Sequence, residues 1–111
     1  MNWIPLTTEA QLTEIISKSH TQTQVIFKHS TRCASSSMAK NRLERNNTIT
    51  GIDFYFLDLL AHRSLSNAIA ERFSVYHESP QVLVIKKGVC VYDESHSGIN
   101  MDEIVEQGLA A

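Results

Sequence analysis

The sequence predicts an α/β fold in which a βαβ half is followed by a ββα half around a central mixed sheet, with an N-terminal helix. Two apolar runs, at about 25–28 and 51–58, flank one helical stretch. This arrangement favours two parallel strands joined by a right-handed crossover. Two further apolar runs, 81–85 and 89–92, are separated by Lys87-Gly88, which predicts a β-hairpin.

The helices are predicted from capping residues and from apolar residues at helical spacing. Thr8 and Gln11 have the spacing of a capping box at the start of the first helix. Ser64 is the expected N-cap of the third helix. Trp3, Ile4 and Leu6 are expected to form an apolar lead-in packed against the domain edge, and the predicted order of elements begins with a helix. The four predicted helices span about 9–19, 34–46, 65–73 and 101–109.

Length and composition indicate an ordinary globular chain. With 111 residues, we expect one domain over 1–111 with a single core. The hydrophobic share is 42% and the charged share 20%, as in most soluble proteins. The 10 basic and 12 acidic residues give a net charge of -2, and the basic residues are scattered. A nucleic-acid partner is therefore not expected, because phosphate binding needs a concentrated basic surface.

Hydropathy and cysteine content give further expectations. No apolar run has the roughly 18–20 residues that a membrane span needs. The amino terminus lacks the charged start and apolar stretch of a signal peptide. We therefore expect a cytoplasmic protein without a membrane partner. The two cysteines, Cys33 and Cys90, are too few for a disulfide scaffold, and no Cys/His spacing predicts a metal site.

The stretch 25–39 carries the chemistry that the sequence predicts. An apolar strand leads through a polar turn into a helix that is expected to begin near Ala34, so Cys33 comes at the helix start. Free backbone N–H groups and the helix dipole favour the thiolate there. Arg32 adds a positive charge beside the thiol. The alternative is an inert structural cysteine, but Cys33 has Ser, Thr and Arg neighbours rather than apolar ones.

The order of elements resembles the thioredoxin-like fold. That fold has its redox motif at the start of the helix after an early strand, and a cis-proline before the hairpin. Cys33 and Pro80 occupy those two places. The chain also resembles a narrower group, the monothiol bacilliredoxins of the general-stress type. The residues that carry this resemblance are Phe27-Lys28-His29-Ser30-Thr31-Arg32-Cys33, Ser36-Ser37-Met38-Ala39 and His77-Glu78-Ser79-Pro80-Gln81.

The resemblance implies a monothiol oxidoreductase with Cys33 as its nucleophile. Thioredoxins have a second cysteine where this chain has Ser36, so no internal disulfide is expected at this motif. The implied reaction removes a low-molecular-weight thiol, similar to bacillithiol, from S-thiolated client proteins. That thiol is a co-substrate, and no cofactor is expected. The residues implied to bind substrate are Thr31, Arg32, Ser36, Ser79 and Pro80.

Some alternatives stay open at the level of sequence. Bacilliredoxins usually have Pro-Ile where this chain has Ala34-Ser35, which favours a catalytically inactive binding or stress-response module. Cys90 lies in a predicted strand, where a small buried hydrophobe is more frequent than a resolving cysteine. His29 precedes Cys33 by four residues and either acts on the thiol proton or is a strand-end histidine with ordinary solvation.

Overall fold

The computed structural model describes residues 1–30, 32, 34–45 and 49–110. It contains five strands, four α-helices and one short 3₁₀ helix in these residues. The strands are β1 (Trp3–Pro5), β2 (Thr23–His29), β3 (Ile52–Asp58), β4 (Gln81–Lys86) and β5 (Val89–Ser95). The α-helices are α1 (Glu9–Lys18), α2 (Ala34–Glu44), α3 (Arg63–Phe73) and α4 (Met101–Leu109), and the 3₁₀ helix is His96–Gly98.

The five strands form one mixed sheet in the order β1-β3-β2-β4-β5. Strands β2 and β3 are parallel, with Phe27 opposite Phe56, and α2 connects them. Strand β4 runs antiparallel to β2, with Val82 opposite Phe27, and β4 and β5 form the hairpin. The βαβ half, the ββα half and the mixed sheet are therefore confirmed.

The chain opens with a strand, so the predicted order of elements, which began with a helix, is wrong at this point, whereas the packing of the lead-in at the edge of the domain is confirmed. Residues Trp3–Pro5 pair in parallel with β3 at the edge of the sheet. The indole ring of Trp3 stacks on Phe27 at 5.5 Å and meets the rings of Phe54 and Phe56 at 6.2 and 5.9 Å. Burial of these aromatic faces stabilises a strand too short to be recognised from its own sequence.

Of the two predicted helix caps, one is confirmed and one is wrong. The Gln11 backbone N–H donates to Thr8 Oγ1 at 3.4 Å, and the Thr8 N–H donates to Gln11 Oε1 at 3.1 Å. Helix α3 instead has His62 as its N-cap, without a side-chain cap hydrogen bond. The His62 N–H already donates to the Asp58 carbonyl at 3.1 Å, so the turn after β3 starts the helix before Ser64 is reached.

Helices cover both faces of the sheet. Alternate strand residues point to opposite faces, so Ile26 packs under α1 and α3 while Phe27 packs under α2 and α4. Each fully buried aliphatic side chain contributes about 1.5–3 kcal/mol. The helical residues on the first face include Leu12, Ile15, Leu65, Ile69 and Phe73. Those on the second face include Ala39, Leu43, Met101 and Ile104.

One end of the sheet remains open to loops. His29, at the carboxyl end of β2, pairs with Asp58, at the carboxyl end of β3. Since β4 is antiparallel, its first residue, Gln81, lies beside Lys28 at the same end. The turn that contains Arg32 and the loop that contains Pro80 therefore meet here. Within the described ranges, none of the helices has the length and hydrophobicity to cross a membrane.

Candidate active site

The described residues around the predicted nucleophile lie at this open end. Cys33 and Thr31 are outside the described residues, so their placement stays a prediction. Arg32 is exposed in a turn. Helix α2 begins at Ala34, the residue that follows Cys33 in the chain, as the sequence predicted.

Ser36 connects three segments of the site. It is fully buried in the first turn of α2. Its Oγ accepts a hydrogen bond from the Ser30 N–H at 3.3 Å and lies 3.5 Å from Ser79 Oγ. The first contact holds the turn after β2, and the second holds the proline loop. Ser36 therefore fixes the local frame, although a hydroxyl offers no sulfur for disulfide formation.

The loop before β4 has the form that the resemblance implies. The Ser79–Pro80 peptide bond is cis, and Pro80 is buried. The side chain of Gln81 is 1% exposed and stabilises the proline loop through two hydrogen bonds to its backbone. Its Nε2 donates to the Tyr76 carbonyl at 2.9 Å, and its Oε1 accepts from the Glu78 N–H at 3.4 Å.

His29 is buried, so the interpretation of an ordinarily solvated histidine is wrong. It is 5% exposed, and its ring centroid lies 5.1 Å from Phe56 and 5.8 Å from Phe27. Among the described residues, no group hydrogen-bonds its Nδ1. Burial lowers the pKa of the imidazole, and the positive charge of Lys40 lowers it further. The ring is therefore neutral near pH 7.

Lys28 forms a second polar cluster on the opposite face of the sheet. Its side chain is fully buried, and Nζ lies 3.4 Å from His77 Nδ1. His77 Nδ1 also lies 3.1 Å from Ser66 Oγ. Burial lowers the pKa of Lys28 to about 8. The sequence reasoning missed this cluster, although a lysine ending an otherwise apolar run was a signal for it.

Cys90 is remote from the start of α2. It pairs with Ile85, which in turn pairs with Gln24 near the beginning of β2. From Gln24 to His29 the strand extends about 16 Å, whereas disulfide formation needs Cα atoms within about 7 Å. Cys90 Sγ donates to the Tyr92 carbonyl at 3.3 Å, and burial raises the thiol pKa to about 11. These features favour a small, partly buried structural side chain over a resolving cysteine.

A groove lies beside the proline loop. It has a volume of about 520 Å³ and runs between α3 and the segment that follows it, with His77 and the exposed Tyr76 in its wall. Its other lining residues are Asn67, Ala70, Glu71, Ser74 and Val75. In the part of the chain that the structure describes, no three His, Cys, Asp or Glu side chains are grouped to hold a metal ion.

Comparisons with known proteins agree with this architecture. The family model of the monothiol bacilliredoxin BrxC matches residues 4–104. A candidate oxidoreductase with a thioredoxin fold has a TM-score of 0.82 and 28% identity, over 94% of this chain and 91% of its own. Fasciola hepatica thioredoxin has a TM-score of 0.71 and 20% identity, over 93% and 97% of the two chains. A mutant thioredoxin from Halobacterium salinarum has a TM-score of 0.72 and 12% identity, over 97% of this chain and 92% of its own.

Proposed function

Since this chain belongs to the monothiol bacilliredoxin family and has a thiol redox role, we propose that Cys33 removes a low-molecular-weight thiol from S-thiolated proteins. The Cys33 thiolate attacks the sulfur of the small thiol in the mixed disulfide. The client–small-thiol bond breaks as a bond forms between Cys33 and the small thiol. The client sulfur leaves as a thiolate and takes up a proton.

The observation that supports a monothiol cycle is the identity and burial of Ser36. A dithiol enzyme resolves its intermediate with a neighbouring cysteine, but here the hydroxyl of Ser36 binds Ser30 and contacts Ser79. The adduct on Cys33 must then be released by a second small thiol or by a separate reductase. The small thiol is a co-substrate of the bacillithiol type, and the setting is a reducing cytoplasm under stress.

The proposed substrate contacts surround this position. Arg32 is exposed directly before Cys33, so its charge is available to the thiolate or to an anionic substrate. Ser79, ahead of the cis-proline, offers backbone groups to a bound polypeptide. Thr31 is assigned to the same surface from the family resemblance alone.

Intact-mass measurement of the protein after incubation with several mixed disulfides tests the proposal. Cys33→Ala is expected to abolish adduct formation and release of the client thiol, because it removes the nucleophile. Cys90→Ala is the matched control and is expected to keep most of the activity. Exchange at an unchanged rate in the Cys33 variant would falsify the proposal.

Titration of the Cys33 thiol separates the enzyme from a binding module. A pKa well below that of a free thiol, about 8.5, is expected for the nucleophile. A Cys33 pKa near the free value, together with no exchange on any mixed disulfide, would instead support a module that keeps the fold without the chemistry. Ala34-Ser35 in place of the usual Pro-Ile makes this the relevant alternative.

A further inference from the structure

The buried ammonium group of Lys28 lacks a counter-ion in the part of the chain that the structure describes. The side chain is fully buried, and the described residues form no ion pair with it. Its hydrogen-bond contact with these residues is His77 Nδ1, at 3.4 Å. Because an uncompensated buried charge destabilises a fold, the cluster favours a ligand that supplies the missing negative charge.

The contact with Lys28 fixes the tautomer of His77. An ammonium group only donates hydrogen bonds, so Nδ1 accepts one. Ser66 Oγ, 3.1 Å from the same Nδ1, belongs to a residue that is 1% exposed. Burial and the charges of Lys28 and Arg63 lower the pKa of His77, and the charge of Glu78 acts in the opposite direction. The ring is therefore neutral near pH 7 and carries its proton on Nε2.

The Nε2–H group of His77 is available to the groove beside the proline loop. The residue is exposed and lines this groove, which has a volume of about 520 Å³. No described residue hydrogen-bonds Nε2. The same groove is lined by Val75 and the exposed Tyr76. A ligand in the groove therefore meets an N–H donor with a positive charge behind it and apolar surface nearby.

The charges around the groove favour an anionic ligand. Glu71 in the groove wall is exposed, so water screens its charge, whereas Lys28 acts through the protein interior, where screening is weak. The carboxylate of Glu78 lies 3.1 Å from His96 Nε2. A charged acceptor forms a stronger hydrogen bond than a neutral one. A single N–H donor suits a carboxylate better than a phosphate, which is usually bound by several donors.

We propose that the groove binds a carboxylate group, with His77 Nε2–H as the hydrogen-bond donor and buried Lys28 as the counter-charge that acts through the ring. The ligand oxygen accepts from Nε2 while Nδ1 accepts from Nζ, so the two hydrogen bonds polarise the imidazole in the same direction. Val75 and Tyr76 contact the apolar part of the ligand. The site uses no thiol, so its test does not depend on the exchange reaction.

NMR titration of the full chain with acetate tests the site, with chloride at equal ionic strength as the reference and acetamide as the neutral analogue. Acetate is expected to shift the Nε2 signal of His77 saturably and to raise the pKa of Lys28, because binding and protonation are linked. Lys28→Met is expected to weaken acetate binding by about fivefold or more. In the wild type, affinity should fall as pH rises through the pKa of Lys28, about 8, where the charge is lost.

Substitutions of His77 test the donor directly. His77→Phe removes the N–H group, keeps a ring and is expected to abolish acetate binding. His77→Gln retains an N–H donor and should restore part of the binding. His20→Phe, at an exposed histidine after α1, is the matched control and should bind acetate as the wild type does.

Short blocked peptides with either Glu or Gln at one position identify the source of the carboxylate. Tighter binding of the Glu peptide than of acetate assigns the groove to an acidic segment of a client protein, and equal or weaker binding assigns it to a small carboxylic acid. The inference is wrong if neither probe shifts His77 or the pKa of Lys28, or if chloride or acetamide does so equally. If the variants do not fold, the pKa of Lys28 in the wild type with and without acetate gives the decision.

Discussion

At the scale of single residues, burial of the Lys28 side chain lowers the free energy of unfolding, and the packing of the rest of the core must offset this loss. It is fully buried, and among the described residues it forms no ion pair. Its polar contact is the neutral ring of His77. Burying a charge without a counter-ion destabilises a fold, and replacement of buried charged groups by apolar ones of similar size is often stabilising.

We therefore expect Lys28→Met to raise the free energy of unfolding by about 1–3 kcal/mol at pH 7. The gain should shrink as pH rises. The pKa of Lys28 is about 8 in the folded protein against an ordinary 10.5, so between these values the unfolded chain binds more protons. The wild type gains stability with pH in that window. Denaturant titrations from pH 7 to 10 measure both effects.

The exposed Lys18 provides the control for that experiment. Lys18→Met removes an exposed lysine and leaves Lys28 in place, so it should change stability little and keep the rise in stability with pH that Lys28 produces. A Lys28 variant that is less stable than the wild type, or whose advantage stays constant with pH, would contradict the assignment of a costly buried cation.

The burial of motif residues could not be predicted from the sequence. The motif residues Lys28 and His29 are adjacent in the chain, and both are buried on opposite faces of β2. The local sequence identified both residues as part of a motif but did not predict that they are buried, because burial depends on helices from distant parts of the chain. Cys33, in contrast, was identified from its immediate neighbours, and its geometry is outside the described residues.

At the scale of elements, Gln11 joins β1 to α1. Its Oε1 accepts from the Thr7 N–H at 2.7 Å and from the Thr8 N–H at 3.1 Å. Its Nε2 donates to the Pro5 carbonyl at 2.9 Å. One side chain thus satisfies backbone groups on both sides of the connection, and the cap of α1 depends on it.

Gln11→Ala is expected to cost about 1 kcal/mol of stability, the usual cost of losing a cap. Thermal or denaturant unfolding measures it, and hydrogen exchange should show faster opening of the β1–α1 connection. Thr13→Ala, on the exposed side of the same helix, is the control and should be neutral or slightly stabilising because alanine is the better helix former. Equal stability of the two variants would rule out the capping role.

Element prediction succeeded where the signal was local. The capping box at Thr8, the strand pattern of β3 and the turn at Lys87-Gly88 are each contained in a few consecutive residues. Strand β1 was missed because its three residues are stabilised by β3, about fifty positions later in the chain. The cap at Ser64 failed for a related reason, since the turn after β3 fixes the start of α3.

At the scale of the whole molecule, the fold places Cys90 far from the start of α2 and joins its two halves at one end of the sheet. The βαβ half, the ββα half and the mixed sheet followed from the order of elements along the chain. The contact between Ser36 of the βαβ half and Ser79 before the ββα half did not, because it links residues 43 positions apart. The candidate site is therefore formed by segments that are distant in the chain. Residues such as Ser36 and Ser79 were predicted from the sequence, but the contact between them was not.

This assembly predicts what a second sulfur would do at the junction. Ser36→Cys places a thiol in the first turn of α2, at the spacing from Cys33 that thioredoxins use. Oxidised variant protein is expected to lose two hydrogen atoms in intact mass and to release the small-thiol adduct without an external reductant. Ser35→Cys is the control, since its different spacing should leave the adduct in place. Stability should fall slightly, because sulfur is a weak acceptor for the Ser30 N–H. A persistent adduct in the folded Ser36 variant would show that a thiol at this position does not reach the adduct on Cys33.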